Sequence, residues 1–74
     1  MSVRKIHCVF PPVVLEEPLF HRINRDFRIV TNIRAAEVSE DSGYMDLELE
    51  GEPDEIDRVL AYLQDKGVAV SELT

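Results

Sequence analysis

Apolar and polar residues alternate through residues 3–10, VRKIHCVF, with Ile6, Cys8 and Phe10 on one side and Lys5, His7 and Val9 on the other. A period of two is that of a strand with one buried face. Pro11 and Pro12 end it, because proline offers no donor to a ladder. The period then changes. In EEPLFHRINRDF, Leu19, Phe20, Ile23 and Phe27 share a stripe at helical spacing, and Arg22, Arg25 and Arg28 fall opposite. Pro18 suits a first helical turn, and Glu16 and Glu17 favour the positive end of the helix dipole.

Period two returns from Ile29 to about Val38, and SEDSG at 39–43 has the composition of a turn. YMDLELEG is the cleanest strand, with Met45, Leu47 and Leu49 inward and Tyr44, Asp46, Glu48 and Glu50 outward. EPDEIDRVLAYLQDKG reads as a second helix with Pro53 in its first turn. Its stripe is Ile56, Val59, Leu60 and Leu63, and Gly67 is its left-handed stop. VAVSEL forms a short last strand.

The order β-α-β-β-α-β is the split βαβ pattern of the ferredoxin-like fold. An α+β domain over residues 1–74 is expected: a four-stranded antiparallel sheet with both helices on one face, strands one and three central, two and four at the edges. A chain of 74 residues builds a small core and commonly gains stability from disulfides, metal or oligomerisation. Cys8 has no internal partner, which leaves a homodimer as the expectation and favours a reducing compartment. No apolar run reaches membrane-spanning length and the N-terminus reads as a strand, so a cytoplasmic location is expected. The net charge of −7 makes nucleic acid and membrane surfaces poor partners.

The residues capable of chemistry are sparse. His7 and Cys8 are neighbours on a strand and point to opposite faces, so they do not share a metal ion. An RNA-binding sheet needs outward aromatics among basic residues, whereas Tyr44 stands among Asp46, Glu48 and Glu50. The arginines of the first helix lie on the other layer, where Arg22 is spaced to pair with Asp26. No serine lies in a nucleophile elbow, and there is neither a phosphate loop nor a dinucleotide fingerprint. No enzyme, metal site or cofactor is expected.

Asn32 and Arg34 in TNIRAA remain, on the strand expected at an edge. If Ile29, Thr31, Ile33 and Ala35 face inward, then Val30, Asn32, Arg34, Ala36 and Val38 face outward, and an outward Val38 points to a bulge or a second covered surface. A polar pair here can simply protect an edge from aggregation. Alternatively, Asn32, with a donor and an acceptor on one short amide, can help to hold a small zwitterion in a crevice between two domains paired edge to edge.

PLFHRINRDFRIVTNIRAAEV, followed by GYMDLELEGEPDEIDRVLAYLQDKGVAVSEL, resembles the NIL domain, a family named for an Asn-Ile-Leu signature on its second strand. Asn32 and Ile33 match the signature and Arg34 departs from it; Gly43, Gly51, Leu63, Gly67 and Val68 fall where the family pattern places them. The resemblance implies a ferredoxin-like domain of the kind found at the C-terminus of the ATP-binding subunit of methionine-import ABC transporters. There it pairs with its copy and binds methionine as an inhibitory signal. Carried over, Asn32 becomes the ligand contact, with Ile33 supporting the strand and Arg34 beside it. An arginine suits an acidic or more polar effector better than a thioether. No ATP-binding segment precedes the domain, so a stand-alone module is expected, and Cys8 alone cannot hold the cluster of NIL proteins joined to iron–sulfur domains.

The expectation is therefore a non-catalytic, homodimeric regulatory module that binds an amino-acid-like ligand, methionine among the candidates, and presents the bound state to a partner protein. The alternative is an adaptor that docks a larger protein through its edge strands or the acidic face of Asp46, Glu48 and Glu50.

Overall fold

A computed structural model describes residues 2–11, 18–39 and 41–73. The elements are β1 (Ser2–Phe10), α1 (Leu19–Asp26), β2 (Ile29–Val38), β3 (Gly43–Gly51), α2 (Pro53–Asp65) and β4 (Ala69–Glu72). The strands form one sheet in the order β2-β3-β1-β4, every neighbouring pair antiparallel. This is the ferredoxin-like arrangement, with β1 and β3 central as expected of that fold.

Strands β1 and β3 pair without interruption from Ser2↔Gly51 to Phe10↔Gly43. Ile6, Cys8, Phe10, Leu47 and Leu49 therefore project to one side, where they are buried against Leu19 and Ile23 of α1 and Ile56, Val59 and Leu63 of α2. Each such large apolar side chain contributes about 1.5–3 kcal/mol relative to exposure. Phe10 meets Phe20 edge to face, ring centroids 5.9 Å apart, and Phe27 lies 5.5 Å from Tyr62, joining the end of α1 to α2. Cys8 is fully buried, and burial pushes its thiol up to about 11, with the nearby Asp46 charge adding to the shift.

The helices begin and end for local reasons. The first backbone bond of α1 runs from Arg22 N–H to the Pro18 carbonyl at 3.1 Å, so Pro18 precedes the helix rather than lying inside its first turn. Glu16 and Glu17 lie outside the described residues. The chain leaves α1 at Phe27 in extended backbone and enters β2 two residues later. The expected Arg22–Asp26 pairing is replaced by one between sequence neighbours: Arg25 forks onto Asp26 at 2.8 and 3.1 Å, and Arg22 adds a more distant positive charge. Pro53 opens α2 with Asp54 and Glu55 in its first turn. At its other end, Gly67 N–H bonds the Gln64 carbonyl and Val68 N–H the Leu63 carbonyl, each at 3.0 Å, with Gly67 at φ +89°. That is the Schellman closure, which glycine makes without a Cβ penalty.

The last strand is short and tied from the side. Arg4 donates to Glu72 of β4 and, at 2.6 Å, to Asp57 of α2, while Leu73 N–H bonds the Lys5 carbonyl at 2.9 Å. The junction of β3 and α2 is crowded instead. A Cβ at Gly51 would stand 3.0 Å from both the Arg28 carbonyl and Ile29 Cγ2. The same turn is pinned by Glu55, which accepts the Arg28 N–H at 2.8 Å and Arg58 at 2.5 Å. Those bonds hold the Glu55 carboxyl below its ordinary range, the Arg28 amide being the larger cause.

Two glycine substitutions separate these effects. Gly51→Ala forces backbone apart and should cost about 1–3 kcal/mol. Gly67→Ala meets only Pro11 Cγ at 3.7 Å, so its cost is that of left-handed backbone, about 1–2 kcal/mol. Urea unfolding of both variants checks the pair, and Gly51→Ala alone should disturb the amide resonance of Arg28.

Candidate functional site

Among the described residues, strand β2 forms one edge of the sheet and pairs only with β3. The register runs Thr31↔Leu49, Asn32↔Glu48, Ile33↔Leu47 and then Ala35↔Asp46, so Arg34 is an extra residue opposite nothing, a β-bulge. Residues directly opposite share a face. Ile29, Thr31 and Ile33 therefore lie on the helix side with Leu47 and Leu49, and Val30 and Asn32 lie on the open side with Glu48 and Glu50.

Beyond the bulge the parity reverses. Ala35 and Glu37 join the open face opposite Asp46 and Tyr44, and Ala36 and Val38 turn to the helix side opposite Met45 and Gly43. The sequence expectation that Ala35 faces inward and Ala36 and Val38 outward is thus corrected. The anomaly that an outward Val38 presented is resolved by the bulge it suggested.

Arg34 reaches over the open face, and its guanidinium donates to Glu48 Oε2 at 2.7 Å. Lys5, directly opposite Glu48 on β1, brings its Nζ to 4.0 Å from Oε1. The Arg34 hydrogen bond holds the Glu48 carboxyl below its ordinary range, with Lys5 contributing a smaller Coulombic share. One strand pair along, His7 Nδ1 lies 2.5 Å from Asp46 Oδ1. A shallow cavity of about 300 Å³ opens here, lined by Lys5, Arg34, Asp46, Leu47, Glu48 and Leu73. It holds two cations and two carboxylates around one exposed leucine, a set that can meet both ends of a zwitterion.

The three residues singled out in the sequence do not converge. Arg34 lines the cavity; Asn32 is directly across from Glu48 without lining it; Ile33 is on the opposite side of the sheet. Lys5 and Leu73 belong to the cavity and were not among the candidate site residues, and Asp46, read as part of an acidic docking face, belongs to it as well. Alternation placed Lys5 and Asp46 on the open face, but only the register shows Lys5 facing Glu48 and His7 facing Asp46. Asp46 and Glu48 are therefore partnered carboxylates rather than a hydrated acidic face. His7 and Cys8 pair with Asp46 and Met45 and so point apart. Among the described residues, no group of three or more His, Cys, Asp or Glu is placed to hold a metal ion, and no helix is long and apolar enough to cross a membrane.

With this geometry in place, the model of the NIL domain matches residues 4–72. The chain belongs to the NIL domain family. Among solved structures, the chain is similar to the C-terminal domain of an ABC transporter ATP-binding protein from Enterococcus faecalis. The TM-score is 0.81 at 15% identity, over 95% of this chain and 82% of that one. At that identity the likeness shows a shared fold. A search of curated proteins found no match.

The Arg34–Glu48 contact in this NIL domain carries a pH consequence. A carboxyl depressed by folding contributes stability above its unfolded value and loses it as pH falls through the folded value. Arg34→Ala should raise the Glu48 value toward the ordinary glutamate range and flatten that acid loss. Carboxyl carbon titration by NMR, read beside stability at mildly acid and neutral pH, checks both parts.

Proposed function

We propose that this NIL domain is a non-catalytic, cytoplasmic regulatory module that binds a small amino-acid-like ligand and works as a homodimer joined along β2. The observation that carries the reading is the two-signed cavity, set on the open face beside the edge strand that bears the signature residue Asn32. Lys5 and Arg34 would receive the carboxylate of the ligand, and Asp46 and Glu48 its ammonium group. The amide of Asn32, opposite Glu48, would add a hydrogen bond of either sense. The Arg34–Glu48 bridge would then exchange one internal ion pair for two with the ligand. Arg34, at the third signature position and in the lining of the cavity, suits an acidic or polar ligand side chain better than the thioether of methionine, while Leu73 offers an exposed apolar contact.

Support for a dimer along β2 comes from the strand itself. Its outer edge carries unpaired backbone groups, which invite a second strand. Val30, Ile33 and Val38 are 50%, 57% and 59% exposed, apolar side chains on both faces of that edge that pairing would cover. Ile33, on the helix side, would thus serve contact between copies rather than the ligand. Regulation follows only if the ligand binds the two dimer arrangements with different affinity. The adaptor alternative loses part of its basis, because Asp46 is already met by His7 and Glu48 by Arg34 and Lys5.

Isothermal titration against a panel of amino acids, methionine included, with sedimentation in parallel, tests the reading. We expect saturable binding to a dimer, weakened severalfold by Asn32→Ala and more by Arg34→Ala. A folded dimer that binds nothing at millimolar concentration would remove the ligand. A protein partner retained by Asn32→Ala but lost on Glu48→Lys would favour the adaptor.

A further inference from the structure

The open face has a second cavity, of about 360 Å³, at the end of the sheet where β2 turns into β3. It is lined by His7, Val9, Glu37 and Tyr44 with the turn residues Ser39 and Ser42, and it shares no lining residue with the cavity around Glu48. Its position follows from the register. Glu37 lies directly across from Tyr44, and Tyr44 directly across from Val9, so the three form one row over β2, β3 and β1. The bulge at Arg34 is what puts Glu37 in that row, because without the extra residue it would face the helices.

Glu37 is the carboxylate of this lining. His7 Nδ1 is held 2.5 Å from Asp46 Oδ1, which fixes the ring at the wall of the cavity. The His7 ring lies beside that of Tyr44, centroids 5.4 Å apart and tilted by 31°, which fixes the aromatic wall. Glu37 makes no ion pair with any described residue. The turn closes on itself: Ser39 N–H bonds the Ser42 carbonyl at 2.8 Å, and Ser42 N–H bonds Ser39 Oγ at 3.2 Å. Among the described residues, no lysine or arginine contributes to the lining. A carboxylate and a tyrosine π face both attract positive charge, and the net charge of −7 adds a field of the same sense.

We propose that this cavity binds an organic cation, an ammonium or guanidinium group seated against the Tyr44 ring with Glu37 as its counter-ion. The group can arrive as a free amine or as the lysine or arginine side chain of a partner protein. The site is distinct from that of the amino-acid reading, since the two cavities share no lining residue among those described, and the His7–Asp46 contact joins a wall of one to a wall of the other.

The test is an NMR titration of the intact protein with tetramethylammonium chloride, with arginine amide and with a short glycine–lysine peptide, each against sodium chloride at equal ionic strength. Saturable shifts at the Tyr44 and His7 rings are expected with the organic cations and not with sodium. Glu37→Gln should weaken binding by about fivefold or more. Glu50→Gln, a carboxylate of the same face between Val3 and Val30, should leave it intact. Saturation by the small amines at concentrations as low as the peptide's assigns a free amine. A clear advantage for the peptide assigns a partner's side chain. Shifts that never saturate, or equal losses in the two variants, would overturn the proposal by showing only a diffuse acidic field.

Discussion

The uninterrupted pairing of β1 with β3 is the constraint on which the rest depends. It sets which residues of both central strands face the helices and which face solvent. One side gathers Ile6, Cys8 and Phe10 with Leu47 and Leu49, enough apolar surface to hold two helices that share little else. The other side receives Lys5 and His7 opposite Glu48 and Asp46, so that attraction between charges falls where no core is displaced. Slippage by one residue would invert both faces at once. Fold and candidate site are thus consequences of the same register.

Much of this was legible in residue order. Strict alternation in VRKIHCVF and YMDLELEG leaves no choice of element or face, and Pro53 and Gly67 bracket α2 by backbone chemistry that needs no tertiary support. What escaped was relational. A bulge is decided by the count of residues between two paired strands, and nothing within TNIRAA marks Arg34 as the residue left over. The pairing of Asp26 with its neighbour Arg25 is likewise set by side-chain conformation, which helical spacing alone does not give. The candidate site was half visible. Its outward residue types could be read from alternation, but the pairing that turns Asp46 and Glu48 from an acidic surface into a two-signed cavity could not.

The ion pairs of the open face contribute modestly to the fold, because the Lys5 and Arg34 cations stand well exposed to solvent and salt screens them. Their interest lies in arrangement. The extra residue in β2 brings Arg34 over Glu48 and, three positions on, returns Glu37 to the same surface. The open face thereby carries a region with both signs of charge and a region whose charge is the Glu37 carboxylate. On a β2 of regular pleat Arg34 would still face outward, but Glu37 would turn to the helix side and the second region would lose its carboxylate.

Cys8, the lone cysteine, sits in the middle of this arrangement, opposite Met45 on one neighbour and Val70 on the other. Its thiol is sealed off and held in the protonated form that does not attack electrophiles. A thiol reagent can therefore reach it only when the core between sheet and helices opens. The native chain thus carries its own clock, and the rate at which Cys8 is modified keeps time with the opening of that core.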